Sequence, residues 1–171
     1  MSFNFKGCII KIDFYFILVM SFCALTGADD LIRLLIFSSL HEAGHLIMLL
    51  ICRGKPLSLT FSYYGFALKY KDNLPKISET LVIASGPLVN LIFYFILKDD
   101  FNLILFFINI LPAFPLDGGR IVKLYFNRVS KVVTIVALIF LYALSLYLII
   151  YCESISMLLI SLYLTIYSLN Y

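Results

Sequence analysis

Both histidines of the chain lie within five residues, His41-Glu42-Ala43-Gly44-His45. On a helix, side chains four positions apart share a face, so His41 and His45 can present two imidazoles to one metal ion. Glu42 then lies about a quarter-turn aside, near an open coordination position. Zinc hydrolases use this arrangement, with a third ligand from elsewhere and a water molecule in the fourth position. The metal lowers the pKa of that water, and the glutamate accepts its proton and passes it to the leaving amine.

The motif lies inside an apolar stretch, residues 31–51, which is long enough to cross a bilayer. Besides Glu42, the only charged residue in this stretch is Arg33, near one end. A charged side chain in the middle of a membrane costs roughly 2.5–3.5 kcal/mol on insertion scales. The setting therefore favours a functional motif over the alternative, a chance H-E-x-x-H match of the kind that is common on soluble helices.

The whole chain is too apolar for a soluble domain. Of its 171 residues, 63% are hydrophobic and 13% are charged, whereas soluble domains hold about half and about a quarter. We expect an all-α polytopic membrane protein with about six transmembrane helices in a single domain, residues 1–171. The net charge of +3 does not indicate nucleic-acid binding. The apolar stretches predict core helices at residues 31–51, 78–97 and 101–128, and flanking helices at 12–28, 132–151 and 155–170.

Basic and acidic connections alternate along the chain. The thirteen Lys and Arg residues, except Arg33 and Lys98, all precede the first predicted span, lie between the second and third, or follow the apolar part of the fourth, residues 101–115. Lys and Arg mark the cytoplasmic side of a membrane protein. We therefore expect the N-terminus, both long loops and the C-terminus to face the cytosol, with the H-E-x-x-H motif toward the same side.

The fourth span ends in a break rich in Pro and Gly, residues 111–119. Each proline removes a donor from the helix ladder, and irregular backbone at membrane depth is tolerated only where protein or water satisfies it. The break should therefore line a cavity. Asp117 stands in the break at a depth similar to that of His45, which favours it as the third metal ligand. The alternative is a capping or turn aspartate, and Asp13 and Glu79 are the nearest rivals as ligands.

The connection after the second predicted helix, residues 53–76, does not have a helical pattern. Two aromatic-rich segments, residues 56–63 and 66–70, alternate loosely around a turn at Tyr64-Gly65. This pattern predicts a short β-hairpin, and its apolar content places it against the membrane. An irregular aromatic loop is the alternative.

Three motifs, in this order along the chain, resemble those of the site-2 protease family of intramembrane zinc metalloproteases. The first is H-E-x-x-H, and the second is the family's G-P-x-x-N element, which residues 85–90 resemble. The family's N-x-x-P-x-x-x-x-D-G segment is matched position by position by Asn109, Pro112, Asp117 and Gly118. The similarity extends over most of the chain.

This resemblance implies that His41, His45 and Asp117 bind one zinc ion per chain and that Glu42 is the catalytic base. Asn109 would help to hold the substrate or the transition state near the metal, and an interhelical hydrogen bond is an equally open role for it. The hairpin region matches a membrane-associated hairpin of the family that is thought to align the substrate as an added strand.

Some features of the chain resemble the sporulation-type branch of the family. They release a pro-sigma factor in spore-forming bacteria, and Leu25-Thr26-Gly27 and the compact six-span layout resemble them. The chain departs from them at Asp13-Phe14, where a His-Pro is common, and no C-terminal nucleotide-sensing domain is evident. Asn90 of the G-P-x-x-N element is more often a packing contact between helices than a catalytic group.

We therefore expect an intramembrane zinc metalloendopeptidase of a bacterial cell membrane. Its substrate would be a membrane-associated protein, such as a pro-sigma factor or an anti-sigma factor, cleaved near the cytosolic face. A membrane inhibitor or regulator would be a further partner. A catalytically inactive scaffold of the same fold is disfavoured by the intact His41, Glu42, His45 and Asp117. A small metal transporter is disfavoured because the polar groups cluster at one depth.

Overall fold

A computed structural model of the chain describes residues 2–5, 8–62, 65–71 and 74–169. The chain divides into two compact units, Met1–Phe106 and Phe107–Tyr171, and the described residues are mostly helical, as predicted. The first part of the chain forms β1 (Ser2–Phe5), β2 (Cys8–Ile12), α1 (Phe14–Thr26), α2 (Asp29–Ile51), β3 (Pro56–Ser62), β4 (Gly65–Tyr70) and α3 (Lys76–Leu97). The remaining elements are α4 (Asp100–Ile110), α5 (Asp117–Phe126), α6 (Ser130–Cys152) and α7 (Ser156–Leu169).

Three helices among the described residues are long and apolar enough to cross a membrane, namely Asp29–Ile51, Lys76–Leu97 and Ser130–Tyr151. The other apolar helices, Phe14–Cys23, Asp100–Ile110 and Met157–Leu169, are shorter than the roughly 20 residues that a hydrocarbon core requires. The length and composition of these three helices indicate that the chain is an integral membrane protein. The full set of six spans stays a prediction.

One predicted helix is divided in the structure, and the bounds of the others differ from the prediction by at most two residues among the described positions. The helix expected at residues 101–128 is two helices, because α4 ends at Ile110 and α5 begins only at Asp117. The prolines between them withhold backbone donors, so the ladder cannot continue. The helix expected at residues 12–28 begins later, at Phe14, because Ile12 belongs to β2.

The predicted hairpin is present as part of a larger sheet. Strands β3 and β4 pair antiparallel, and the turn residues 63–64 lie outside the described residues. Strand β2 adds to β3 in parallel, and β1 adds antiparallel to β2, which gives the order β1-β2-β3-β4. The backbone N–H of Asp13 donates to the carbonyl of Phe61 at 2.9 Å. The sheet therefore holds the start of α1.

Helix α2 packs on α3 along a seam that requires a small residue. A Cβ added at Gly44 would lie 2.7 Å from Val89 Cγ2 and 3.0 Å from the backbone oxygen of Ser85. Both distances are shorter than van der Waals contact, so only glycine permits this approach. Gly44 therefore allows α3 to pack closely against α2.

Candidate metal centre

The two imidazoles of α2 converge on one point. His41 and His45 are 6% and 4% exposed, and their rings meet edge to face with centroids 4.7 Å apart. The two Nε2 atoms are 3.1 Å apart. Two nitrogens bound to one tetrahedral zinc ion at ~2.0–2.1 Å would be about 3.3 Å apart. The spacing of the ring nitrogens therefore fits a shared metal ion.

Glu42 belongs to the same cluster. One carboxylate oxygen and one nitrogen of each histidine all lie within 4.8 Å of one another, and Glu42 is half-buried. The three residues form the one group of potential ligands that meets this criterion within the described ranges. A carboxylate beside two converging imidazoles is in the place that a general base requires, because a water molecule at the metal would be within its reach.

Helix α3 supplies the groups that hold the two imidazoles. His45 Nδ1 is 2.7 Å from the backbone oxygen of Val82. A carbonyl can only accept, so Nδ1 carries the proton and Nε2 keeps its lone pair for a metal. His41 Nδ1 is 3.1 Å from the side-chain amide of Asn90. Metal-binding histidines usually donate their second ring N–H to an acceptor. The Val82 carbonyl is such an acceptor for His45, whereas the atom of Asn90 that faces His41 Nδ1 is the donor Nδ2.

Gly86 of α3 leaves the space in which a metal could sit. A Cβ built on Gly86 would lie 2.7 Å from His41 Nε2 and would also contact the His45 ring. Val82, Gly86 and Asn90 are spaced by four residues, so they share one face of α3. On that face, Val82 and Asn90 each contact one imidazole, and Gly86 between them leaves the opening. The nitrogen donor set, the spacing and the opening together fit zinc.

Asp117, the predicted third ligand, lies in the second unit. It is 5% exposed and is the first residue of α5, whose N-cap is Leu116. Its Oδ1 accepts a hydrogen bond from Arg120 Nη1 at 3.2 Å. An acidic residue in the first turn is favourable at the positive end of the helix dipole. Its role as a zinc ligand stays a prediction, as does the role of Asn109, which is half-buried near the end of α4.

The break before Asp117 is satisfied by the protein, as expected. The backbone N–H of Phe114 donates to Thr134 Oγ1 of α6 at 3.2 Å, and the N–H of Leu116 donates to the carbonyl of Ala113 at 2.9 Å. The start of the break lines an open apolar groove, formed by Leu111, Pro112, Val132, Val133, Val136, Ala137 and Phe140. Several of these side chains are exposed, so the expectation that the break lines a cavity stays a prediction.

Sequence reasoning did not identify every residue of this centre. The Val82 carbonyl and the opening at Gly86 were not expected, and Asn90 was expected to be a packing contact. The available signal was the G-P-x-x-N resemblance, which places a glycine and an asparagine four residues apart and hence on one helix face. A backbone carbonyl leaves no trace in the residue type, so no signal could have identified Val82.

The H-E-x-x-H helix thus packs on the helix that carries the G-P-x-x-N element, in a chain with three described helices long and apolar enough to cross a membrane. No family model matches the chain. The solved structure of the site-2 protease from Methanocaldococcus jannaschii is similar to it, with a TM-score of 0.59 and 23% sequence identity, over 99% of this chain and 94% of that chain. The chain thus has the site-2 protease fold.

A curated relative supports the same resemblance. Stage IV sporulation protein FB of Bacillus subtilis (strain 168) is 28% identical, over 61% of this chain and 43% of the relative. The chain therefore spans less than half of that protein's length. Together, the shared fold and this similarity confirm the resemblance to the site-2 protease family that the three motifs predicted.

Proposed function

We propose that the chain is an intramembrane zinc metalloendopeptidase that cleaves a membrane-associated protein near the cytosolic face. The observation that carries this proposal is the 3.1 Å approach of His41 Nε2 and His45 Nε2, with the Glu42 carboxylate in the same cluster. The cluster lies on α2, one of the helices that are long and apolar enough to span a membrane. The site-2 protease fold supports the same activity.

Each residue of the site has a role in this proposal. Zinc bound by His41 and His45, with Asp117 as the proposed third ligand, would supply Lewis-acid activation of water and of the scissile carbonyl. Glu42 accepts a proton from the attacking water and delivers it to the nitrogen of the leaving amine. Asn109 donates a hydrogen bond to the substrate carbonyl oxygen as negative charge develops on it.

A substrate must reach this site in an extended conformation, because a helical backbone hides its carbonyls in its own hydrogen bonds. The outermost strands of the sheet are β1 and β4, and β4 packs against α2, the helix that carries the motif. An added substrate strand along β4 would gain affinity from backbone hydrogen bonds without requiring a particular sequence. This makes β4 the proposed docking edge.

The substrate class and setting are also part of the proposal. The similarity to a stage IV sporulation protein favours a pro-sigma factor as substrate, with an anti-sigma factor as the other candidate, and a membrane inhibitor or regulator as a further partner. The alternating basic loops favour a multi-pass protein of a bacterial cell membrane with both termini in the cytosol.

The test is cleavage of a membrane-tethered pro-sigma factor co-expressed with the wild-type chain or with Glu42→Gln. Removing a general base typically costs about 10²–10⁴-fold in rate, so we expect the cleaved product to disappear in Glu42→Gln. The matched control is Glu153→Gln, which removes the same charge from an exposed residue at the end of α6 and should cleave at the wild-type rate.

Further measurements separate the protease from the alternative functions, an inactive scaffold and a metal transporter. A chelator should abolish cleavage by the purified chain, and zinc should restore it. Full activity in Glu42→Gln, or activity that survives stringent removal of metal, would contradict the protease proposal. Zinc bound near one per chain without release of any membrane fragment, judged by proteomics of wild type against Glu42→Gln, would indicate an inactive scaffold. Zinc flux into proteoliposomes would indicate a transporter.

A further inference from the structure

Asn90 contacts His41 through an amide that has two possible orientations. Its side chain is completely buried, and its Nδ2 lies 3.1 Å from His41 Nδ1. Its Oδ1 is also buried and has no hydrogen-bond partner among the residues that the structure describes. A half-turn of the amide exchanges Nδ2 and Oδ1 at almost no steric cost. The two orientations impose opposite proton positions on the His41 ring.

With Nδ2 toward the ring and no metal bound, a continuous series of hydrogen bonds connects Asn90, both histidines and the Val82 carbonyl. Asn90 Nδ2–H donates to His41 Nδ1, so a neutral His41 must carry its proton on Nε2. That Nε2–H can donate to His45 Nε2, 3.1 Å away. His45 can accept there because its own proton is on Nδ1, which donates to the Val82 carbonyl at 2.7 Å. In this state the proton on His41 Nε2 blocks the position that a metal would need.

Metal binding requires the opposite state of His41. Both Nε2 atoms must then present lone pairs, so the His41 proton has to be on Nδ1. An amide Nδ2 facing Nδ1–H would place two donors together, whereas Oδ1 in its place would accept. With Nδ2 toward the ring, the metal-bound state would have no acceptor for the His41 Nδ1–H. A half-turn of the amide brings the unpartnered Oδ1 to this position, where it can accept that hydrogen bond.

We propose that Asn90 is a positioning residue whose amide turns over on metal binding and selects the tautomer of His41. The proton leaves Nε2 and a proton is taken up at Nδ1, so His41 stays neutral and its proton count does not change. This inference rests on the zinc-binding part of the proposed function, and it assigns to Asn90 a role beyond packing. His45 undergoes no such change, because its partner is a carbonyl that can only accept.

The first measurement is zinc affinity, by competition with a chromophoric chelator, for Asn90→Leu, Asn90→Asp and the control Asn102→Leu. Loss of the group that orients a metal-binding histidine typically weakens metal affinity about 10–100-fold, and we expect this for Asn90→Leu. Asn90→Asp should retain wild-type affinity, because a carboxylate accepts the Nδ1–H. Asn102 is equally buried and contacts neither histidine through its side-chain amide, so Asn102→Leu should leave affinity unchanged.

The second measurement reads the tautomer directly. The chain has only two histidines, so ¹⁵N-histidine labelling gives an NMR spectrum of two rings. Without metal, we expect one ring protonated on Nε2 and the other on Nδ1. Addition of zinc should convert the first ring to the Nδ1–H form, and Asn90→Asp should give the Nδ1–H form on both rings before zinc is added.

The outcomes separate this inference from the zinc proposal itself. If wild type binds no zinc, the proposed function fails, and the metal-free spectrum still tests the pairing of Asn90 with His41. If wild type binds zinc but Asn90→Leu binds as tightly as Asn102→Leu, the role of Asn90 is wrong. If both rings of the metal-free wild type were protonated on Nδ1, the proposed half-turn of the Asn90 amide on metal binding would be wrong.

Discussion

Helix α2 carries two turns with charged side chains, and the protein accommodates them in different ways. Near the start of the helix, Arg33 pairs with Asp30 and with Asp99, the latter at 3.2 Å, and its guanidinium lies 5.3 Å from the centre of the Phe101 ring. About half of the Arg33 side chain remains exposed. These partners are side chains at the ends of helices, where water can also contribute.

Farther along the same helix, His41 and His45 are buried and depend on the backbone and side chains of one other helix. The Val82 carbonyl and the Asn90 amide contact the two rings, and the absence of a side chain at Gly86 leaves space beside them. The comparison shows that a charge near the end of a span requires only nearby counter-charges. A polar cluster inside the span requires a neighbouring helix with a defined rotation and spacing, so substitutions on α3 should matter far more.

The largest effect in this comparison is expected for Gly86→Ala. The added methyl group would lie 2.7 Å from His41 Nε2 and against the His45 ring, in the space into which zinc must fit at ~2.0–2.1 Å from each nitrogen. We expect zinc affinity to fall by more than about 100-fold, beyond the usual effect of residues outside the ligand set. Proteolytic activity should be lost with it. The measurement is zinc content after purification and chelator competition.

Unfolding has to be excluded as the cause of this loss. Alanine is a better helix former than glycine by roughly 0.5–1 kcal/mol, so Gly86→Ala should retain helical content by circular dichroism in detergent. A Gly86→Ala protein that keeps one zinc ion per chain at wild-type affinity would contradict the location of the metal between the two Nε2 atoms.

A smaller effect is expected for Gly44→Ala, which alters the same seam from the other helix. Its methyl group would lie 2.7 Å from Val89 Cγ2 and 3.0 Å from the Ser85 carbonyl, so α2 and α3 must separate by a few tenths of an ångström. Overpacking of this kind typically costs about 1–3 kcal/mol. We expect a lower thermal unfolding midpoint, with zinc affinity reduced less than in Gly86→Ala. If Gly44→Ala abolished zinc binding while Gly86→Ala did not, the assignment of the two glycines would be reversed.

The two turns of α2 also show how far sequence reasoning reaches. The apolar run predicted the spanning helix within two residues of its start and the same last residue, Ile51. Helical periodicity alone brought His41 and His45 together. Both results depend on local sequence. The role of α3 depends on its rotation about its own axis, which amphipathic patterning cannot define in a helix that is apolar on nearly every side.

Long-range pairing explains the other differences. Strand β2 pairs with β3 in parallel across the whole of α1 and α2, and such pairing has no turn signal, unlike the β3–β4 hairpin. The β-branched Ile9, Ile10 and Ile12 were the available signal for β2. Asp117 illustrates the remaining limit, because a single acidic residue far along the chain offers no periodicity that could relate it to the histidines.

The smallest effect is expected for Arg33→Met, which removes the charge at the start of α2 and keeps an unbranched apolar side chain. Exposed ion pairs contribute little because water and salt compete for both partners. Asp30 and Asp99 would remain at the end of the helix, where water can solvate them. We expect zinc affinity and cleavage to stay within about twofold of wild type, measured beside Gly86→Ala in the same detergent. A loss of zinc in Arg33→Met comparable to that in Gly86→Ala would show that the two turns of α2 are coupled, and the distinction between an end charge and a buried metal centre would then fail.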